Sequence, residues 1–258
     1  MNLDSYTAKD LKERDTIPTL VLPIGSTEQH GPHLPLGTDT FISMALAIEL
    51  NRVRPSSTVV APPLPYGSSG EHKGVLGTLS MGQNALEFLV VELVRSADQF
   101  NGVAIVSAHG GNIEPIARAA RLLATEGRKI YYWFPTVKAL TSAAERWAIE
   151  PGSKGLWDPD LHAGRTETSI MLALTPDLVG ETGGVVGSPA SSPGLMQRIR
   201  TEGVTAISDS GIIGDPSGAS YEEGCAILAA FADDLITGFD KYQNSELNGP
   251  LSDKGRRV

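Results

Sequence analysis

Short apolar runs rich in valine and isoleucine alternate along this chain with longer segments whose apolar residues recur three and four positions apart. That alternation narrows the fold sharply, because parallel strands must be joined by crossovers and amphipathic helices are the usual crossover. Residues 19–24, 58–63, 102–107 and 129–134 read as strands. Residues 40–52, 84–100 and 113–126, the run that begins at Glu167, and residues 221–239 read as helices; the second carries the stripe Leu86, Leu89, Val90, Leu93 and Val94. The fold class expected is α/β, a three-layer sandwich with a mostly parallel central sheet. One domain over residues 1–243 and a frayed tail over 244–258 account for the whole length. Residues 180–219, rich in Gly, Ser and Pro, are long for an inert connection and read as a lid, an arm or an oligomer contact.

The composition excludes several function classes. A formal net charge of −9 speaks against a nucleic-acid partner, which needs a basic surface to release counterions. No run of about 18 apolar residues is present to span a bilayer, and the first residues lack the basic start and apolar core of a secretory signal, so the expected location is the cytoplasm, without a membrane partner. The single cysteine, Cys225, has no internal disulfide partner and reads as a small buried helix residue.

The chemistry lies with the histidines. All five sit in four polar motifs: Gly25-Ser-Thr-Glu-Gln-His30-Gly-Pro-His33-Leu-Pro-Leu-Gly-Thr-Asp39, Gly70-Glu-His72-Lys, Ser107-Ala-His109-Gly-Gly-Asn112 and His162-Ala-Gly-Arg-Thr-Glu-Thr-Ser169. Imidazole and carboxylate together are ligands for a borderline divalent ion. Glu28 and His30 follow the first strand and share one side of an extended segment, so both can face one ion. Asp39 lies far enough on to fold back and offer a carboxylate that bridges two cations. His109 follows the third strand with two glycines beside it, and His162 stands five residues before Glu167 with the roles of ligand, proton shuttle or orienting partner all open to it. A Ser-His-Asp hydrolase is disfavoured by the lack of a Gly-x-Ser-x-Gly elbow.

The string Glu-Gln-His-Gly-Pro-His-Leu-Pro with its Thr-Asp, followed by Ser-Ala-His-Gly-Gly-Asn and His-Ala-Gly-x-Thr-Glu-Thr-Ser, resembles the creatininase family over roughly residues 22–179. The resemblance implies an α/β amide hydrolase with two divalent ions, Glu28 and His109 on one, His30 on the other and Asp39 between them. It also exposes a departure. The creatinine hydrolases carry a glutamate two residues after the histidine equivalent to His109, and here that position is Gly111; Glu167 is the candidate replacement, unless it only complements a helix dipole. His33 is open to a ligand role or to a hydrogen bond that orients its loop. Together with residues 66–72 and Arg165, the departure looks like the mycofactocin-system peptidase branch, whose members remove a C-terminal Val-Tyr dipeptide from a short precursor peptide.

On that reading Arg165 pairs with the dipeptide carboxylate, or else forms an ordinary ion pair. His72 is placed near substrate, and Trp157 as a pocket wall, with Trp133 either beside it or in the core. His162 is the general acid that protonates the leaving amine, with Glu167 as the alternative, and Asn112 either meets the developing oxyanion or fixes the metal loop. The branch suggests Fe(II), and the ligand types also suit Zn(II) or Mn(II). Two other readings stand beside it: hydrolysis of a small cyclic amide or formamide, and a metal-binding module without turnover. The family's rings and stacked dimers imply a homo-oligomer.

Overall fold

A computed structural model describes residues 2–149, 160–190 and 194–244. Trp157 and the expected tail beyond residue 244 lie outside the described residues. Four strands, β1 (Thr19–Pro23), β2 (Thr58–Val60), β3 (Val103–Val106) and β4 (Ile130–Trp133), form one sheet in the order β2-β1-β3-β4, every neighbouring pair parallel. The helices are α1 (Ala8–Lys12), α2 (Thr38–Val53), α3 (Gln83–Ser96), α4 (Ile113–Thr125), α5 (Val137–Ile149), α6 (Arg165–Leu174), α7 (Leu195–Glu202) and α8 (Tyr221–Asn244). None of them is long and apolar enough to cross a membrane.

Alternation along the strands sorts the core into two layers. Val21, Ala104, Val106, Tyr131 and Trp133 face a layer with Ile42, Leu46, Ile170, Phe231 and Leu235 from α2, α6 and α8. Leu22, Val103, Ile105 and Ile130 face the other way, onto Leu86, Val90 and Val94 of α3 and Ile116 and Leu123 of α4. A sheet buried on both faces explains why its strands read as unbroken apolar runs. Trp133 belongs to this core: it is buried and edge-on to Phe231, and its indole N–H donates to Asp234 Oδ2 at 3.0 Å.

The segment 180–219 is an arm that returns onto the domain. Helix α7 buries Leu195 and Ile199 with Val204 and Ile213 in a small separate core. Two buried apolar positions make too short a stripe to read as a helix from sequence. Past α7 the chain pairs with the His162 motif, Ile213 N–H donating to His162 O at 2.8 Å and His162 N–H to Ile213 O at 3.1 Å. Cys225, expected inside, is exposed. The start of α8 turns Glu223, Gly224 and Ile227 inward, and residue 225 falls on the opposite side of the turn.

Candidate metal centre

Because all four strands run the same way, their carboxyl ends share one edge, and the loops that leave them meet there. The loop after β1 carries Glu28 and His30 and ends in the first turn of α2 with Asp39. His109 lies between β3 and α4, and Glu167 is the third residue of α6. Cross-bonds hold these loops together. Ser43 Oγ on α2 accepts the Ala108 N–H at 3.0 Å and donates to Ile24 O at 3.2 Å.

The side chains converge tightly. Asp39 Oδ2 is 3.3 Å from His109 Nδ1 and 3.7 Å from His30 Nε2, and Ser26 Oγ donates to it at 2.6 Å. Glu28 Oε2 is 3.4 Å from His109 Nε2; Glu28 Oε1 is 3.4 Å from His72 Nε2 and 3.8 Å from His162 Nδ1. Glu167 Oε2 lies 3.8 Å from His30 Nε2. Three sets, Glu28–Asp39–His109, His30–His162–Glu167 and Glu28–His72–His162, each bring three ligand atoms within 4.8 Å of one another.

Backbone carbonyls decide which nitrogen is free in three of the rings. His30 Nδ1 donates to Glu28 O at 3.1 Å, leaving the Nε2 lone pair toward Asp39 and Glu167. His109 Nε2 donates to Ser68 O at 2.8 Å, leaving Nδ1 toward Asp39. His162 Nε2 donates to Gln29 O at 2.8 Å, leaving Nδ1 toward Glu28. His30 Nε2 and both Glu28 oxygens are buried with no hydrogen-bond partner among the described residues. Buried polar atoms are almost always paired, so these orphans, each beside other candidate ligand atoms, fit divalent cations.

The electrostatics agree. Burial raises the Glu28 carboxyl to about 7, and burial likewise raises Glu167 to about 7. Burial works against the charged form of His30, yet Asp39, Glu167 and Glu28 outweigh it and hold the ring up to about 10. His109 is driven well up in the same way, by Glu28 and Asp39 against burial. Asp39 is held well below the usual carboxylate range, because His30 and His109 overcome its burial. Burial depresses His72 to about 3, and burial with His30 and His72 nearby holds His162 well below the usual imidazole value. Without a cation, protons on His30 and His109 balance the carboxylates.

For several residues the structure has one of the alternatives left open by the sequence. Asn112 spends its carboxamide on the scaffold: Nδ2 donates to Gly25 O at 2.9 Å and Ser107 Oγ at 3.2 Å, and Oδ1 accepts the Ser68 N–H at 2.9 Å. Both amide protons are used, so of its two expected roles the structure has the loop-fixing one. Arg165 points away from the centre, because residues two apart on a helix lie about 200° around it. Its Nε donates to buried Glu223 at 2.8 Å, and it lines a separate cavity of about 720 Å³ with Gly187, Gly214 and Ser217 that includes no candidate ligand. His72, placed near substrate by sequence, is buried against Glu28. His33 bonds Thr168 Oγ through Nε2 at 2.9 Å, which joins the first loop to α6.

Glu167 sits where both readings place it: Oε2 faces His30 and also accepts the Ala163 N–H at 2.6 Å ahead of α6. Gly111 has a steric reason: a Cβ there would lie 2.0 Å from Ser68 O and 2.8 Å from Glu71 Oε1. The carbonyl that fixes His109 occupies the space a side chain would need. Gln29 stands inside the first motif with no sequence signal of its role, because its contacts come from residues distant in sequence.

Residues 4–238 match the family described as creatininase, creatinine amidohydrolase. The chain is 41% identical over 97% of its length to the mycofactocin precursor peptide peptidase of Mycolicibacterium smegmatis, of which it covers 94%. It is 30% identical over 67% of its length to the creatinine amidohydrolase of Pseudomonas putida, of which it covers 71%. A solved structure described as creatininase with Mn superposes with a TM-score of 0.74 at 25% identity, covering 94% of this chain and 98% of that one. With the strand order, the loop-borne ligands and these likenesses together, the chain belongs to the creatininase family.

Proposed function

We propose that this protein is a metal-dependent amide hydrolase that releases the C-terminal Val-Tyr dipeptide from a modified mycofactocin precursor peptide. One observation carries the metal-dependent part: the buried carboxylates of Glu28 and Asp39 and the partly buried one of Glu167 meet histidine nitrogens that backbone carbonyls have fixed toward them. Without a cation the cluster is held neutral by protons on its own rings and carboxyls, and a divalent ion takes the place of those protons. The likeness to the Mycolicibacterium smegmatis peptidase supports the peptide part.

Glu28 and His109 would hold one ion and His30 and Glu167 the other, with Asp39 shared; Fe(II) is the first choice, Zn(II) or Mn(II) the alternatives. When bound, such ions ionise a water near neutral pH and polarise an amide carbonyl. His162, neutral because it is buried and fixed by the Gln29 carbonyl, takes a proton at Nδ1 and returns it to the departing amine. Ser26 holds the Asp39 carboxylate in place. An apolar cavity of about 130 Å³ beside Glu167, walled by Ile42, Leu140 and Phe231, has room for an aliphatic side chain. The protein is read as a cytoplasmic homo-oligomer.

A second reading, hydrolysis of a small cyclic amide or a formamide, is favoured by the likeness to the Pseudomonas putida enzyme. The test is incubation of metal-loaded protein with a precursor peptide ending in Val-Tyr, with creatinine and with a formamide. Dipeptide release from the peptide alone is expected. Turnover of creatinine or formamide alone would replace the peptide reading, and metal retention with no turnover at all would leave a binding module.

A further inference from the structure

Gln29 lies between two ligand candidates, is buried, and touches both histidines that border Glu28. Its Oε1 accepts the Gly31 N–H at 2.9 Å, which fixes the carboxamide with its nitrogen toward the centre. That nitrogen has two protons and three neighbours: Gly211 O at 3.1 Å, His72 Nδ1 at 2.9 Å and His162 Nε2 at 3.1 Å. The count resolves itself. Gly211 O can only accept. His162 Nε2 already donates to the main-chain carbonyl of Gln29, an acceptor as well, so it cannot receive a proton from the side chain. The second amide proton therefore goes to His72 Nδ1.

A neutral His72 that accepts at Nδ1 carries its proton on Nε2, and that nitrogen lies 3.4 Å from Glu28 Oε1. His162, in the same tautomer, turns its bare Nδ1 to the same oxygen at 3.8 Å. We propose that Gln29 is a positioning residue that assigns these two rings opposite parts, His72 as the ring that turns an N–H toward Glu28 and His162 as the ring with a free lone pair. The set Glu28–His72–His162 then holds no ion of its own despite its spacing, because freeing His72 Nε2 would put the ring proton on Nδ1, against the Gln29 N–H. Gln29's other proton, on Gly211, ties the arm to the same switchboard of bonds. A Cβ on Gly211, whose φ is +75°, would fall 2.1 Å from Gln29 Oε1.

The consequence at Glu28 rests on the metal-centre reading above, whereas the tautomers do not. The experiment is long-range ¹⁵N–¹H NMR of histidine-labelled, metal-free protein, wild type and Gln29→Met, with five rings to assign. Expected in wild type are His72 and His162 both protonated on Nε2; in Gln29→Met, His72 should lose its single tautomer while His162, held by the main chain, keeps its own. A wild-type His72 protonated on Nδ1, or a His72 signal unmoved in Gln29→Met, overturns the proposal, and the wild-type spectrum decides even if the variant fails to fold. Calorimetric titration of His72→Ala with Zn(II) or Mn(II) adds an independent reading: as many ions per chain as wild type are expected, and the loss of one would make His72 a ligand. Because the spectra need no metal and no turnover, a failed hydrolysis assay leaves them standing.

Discussion

At Asp39 two histidines face one oxygen, and the site's pH behaviour starts there. Glu28 and Glu167 are raised to about 7, and His30 to about 10, so near neutrality the metal-free centre holds protons that an incoming cation must displace. The sign follows directly: metal affinity rises as pH rises through about 7, where the carboxyls let go, and keeps rising toward the His30 value. Calorimetry in buffers of different ionisation heat should show more than one proton released per chain. Heats that do not depend on buffer would contradict this account. Asn112 makes the complementary prediction on stability. Asn112→Ala strands Gly25 O and the Ser68 N–H inside the protein, at about 1–3 kcal/mol for each buried group left unpaired. Denaturant melting should show that loss in metal-free protein, whereas an unchanged midpoint would return Asn112 to solvent or substrate.

Among the elements, α6 shows how one turn serves two ends. Its third residue turns inward to His30 and the Ala163 N–H, and its first turns outward to Glu223. Glu167→Gln can keep the bond to Ala163 through its carbonyl oxygen while pointing an amide toward the His30 lone pair. Metal affinity should therefore fall at least tenfold, equivalent to about 1.4 kcal/mol, with the thermal midpoint of the metal-free protein nearly unchanged; the reverse pattern would reduce Glu167 to a helix-end carboxylate. The strands and α2, α3, α4 and α8 were legible because each buries a full periodic face. Helix α7 was not, since only Leu195 and Ile199 face inward. The direction of Arg165 was open in sequence because helical register is fixed only once the packing face of α6 is known.

For the molecule as a whole, large apolar side chains remain on the surface, with Leu76 97% and Val186 79% exposed. Singly exposed apolar residues are ordinary; the proposed homo-oligomer is tested by sedimentation velocity, which should give a mass that is a multiple of 27.3 kDa, and a lone monomer at micromolar concentration would refute assembly. Local chemistry alone determined the strands with their main crossover helices, the mostly parallel sheet and the kinds of ligand, because periodicity and motif composition are written in neighbouring residues. Only the folded chain decided that Glu167 and not residue 111 faces His30, that Asn112 ties loops, and that the arm delivers Gly211 to Gln29. Each of those depends on which distant backbone oxygen arrives first at a given donor, a matter of three-dimensional approach that no span of sequence encodes by itself.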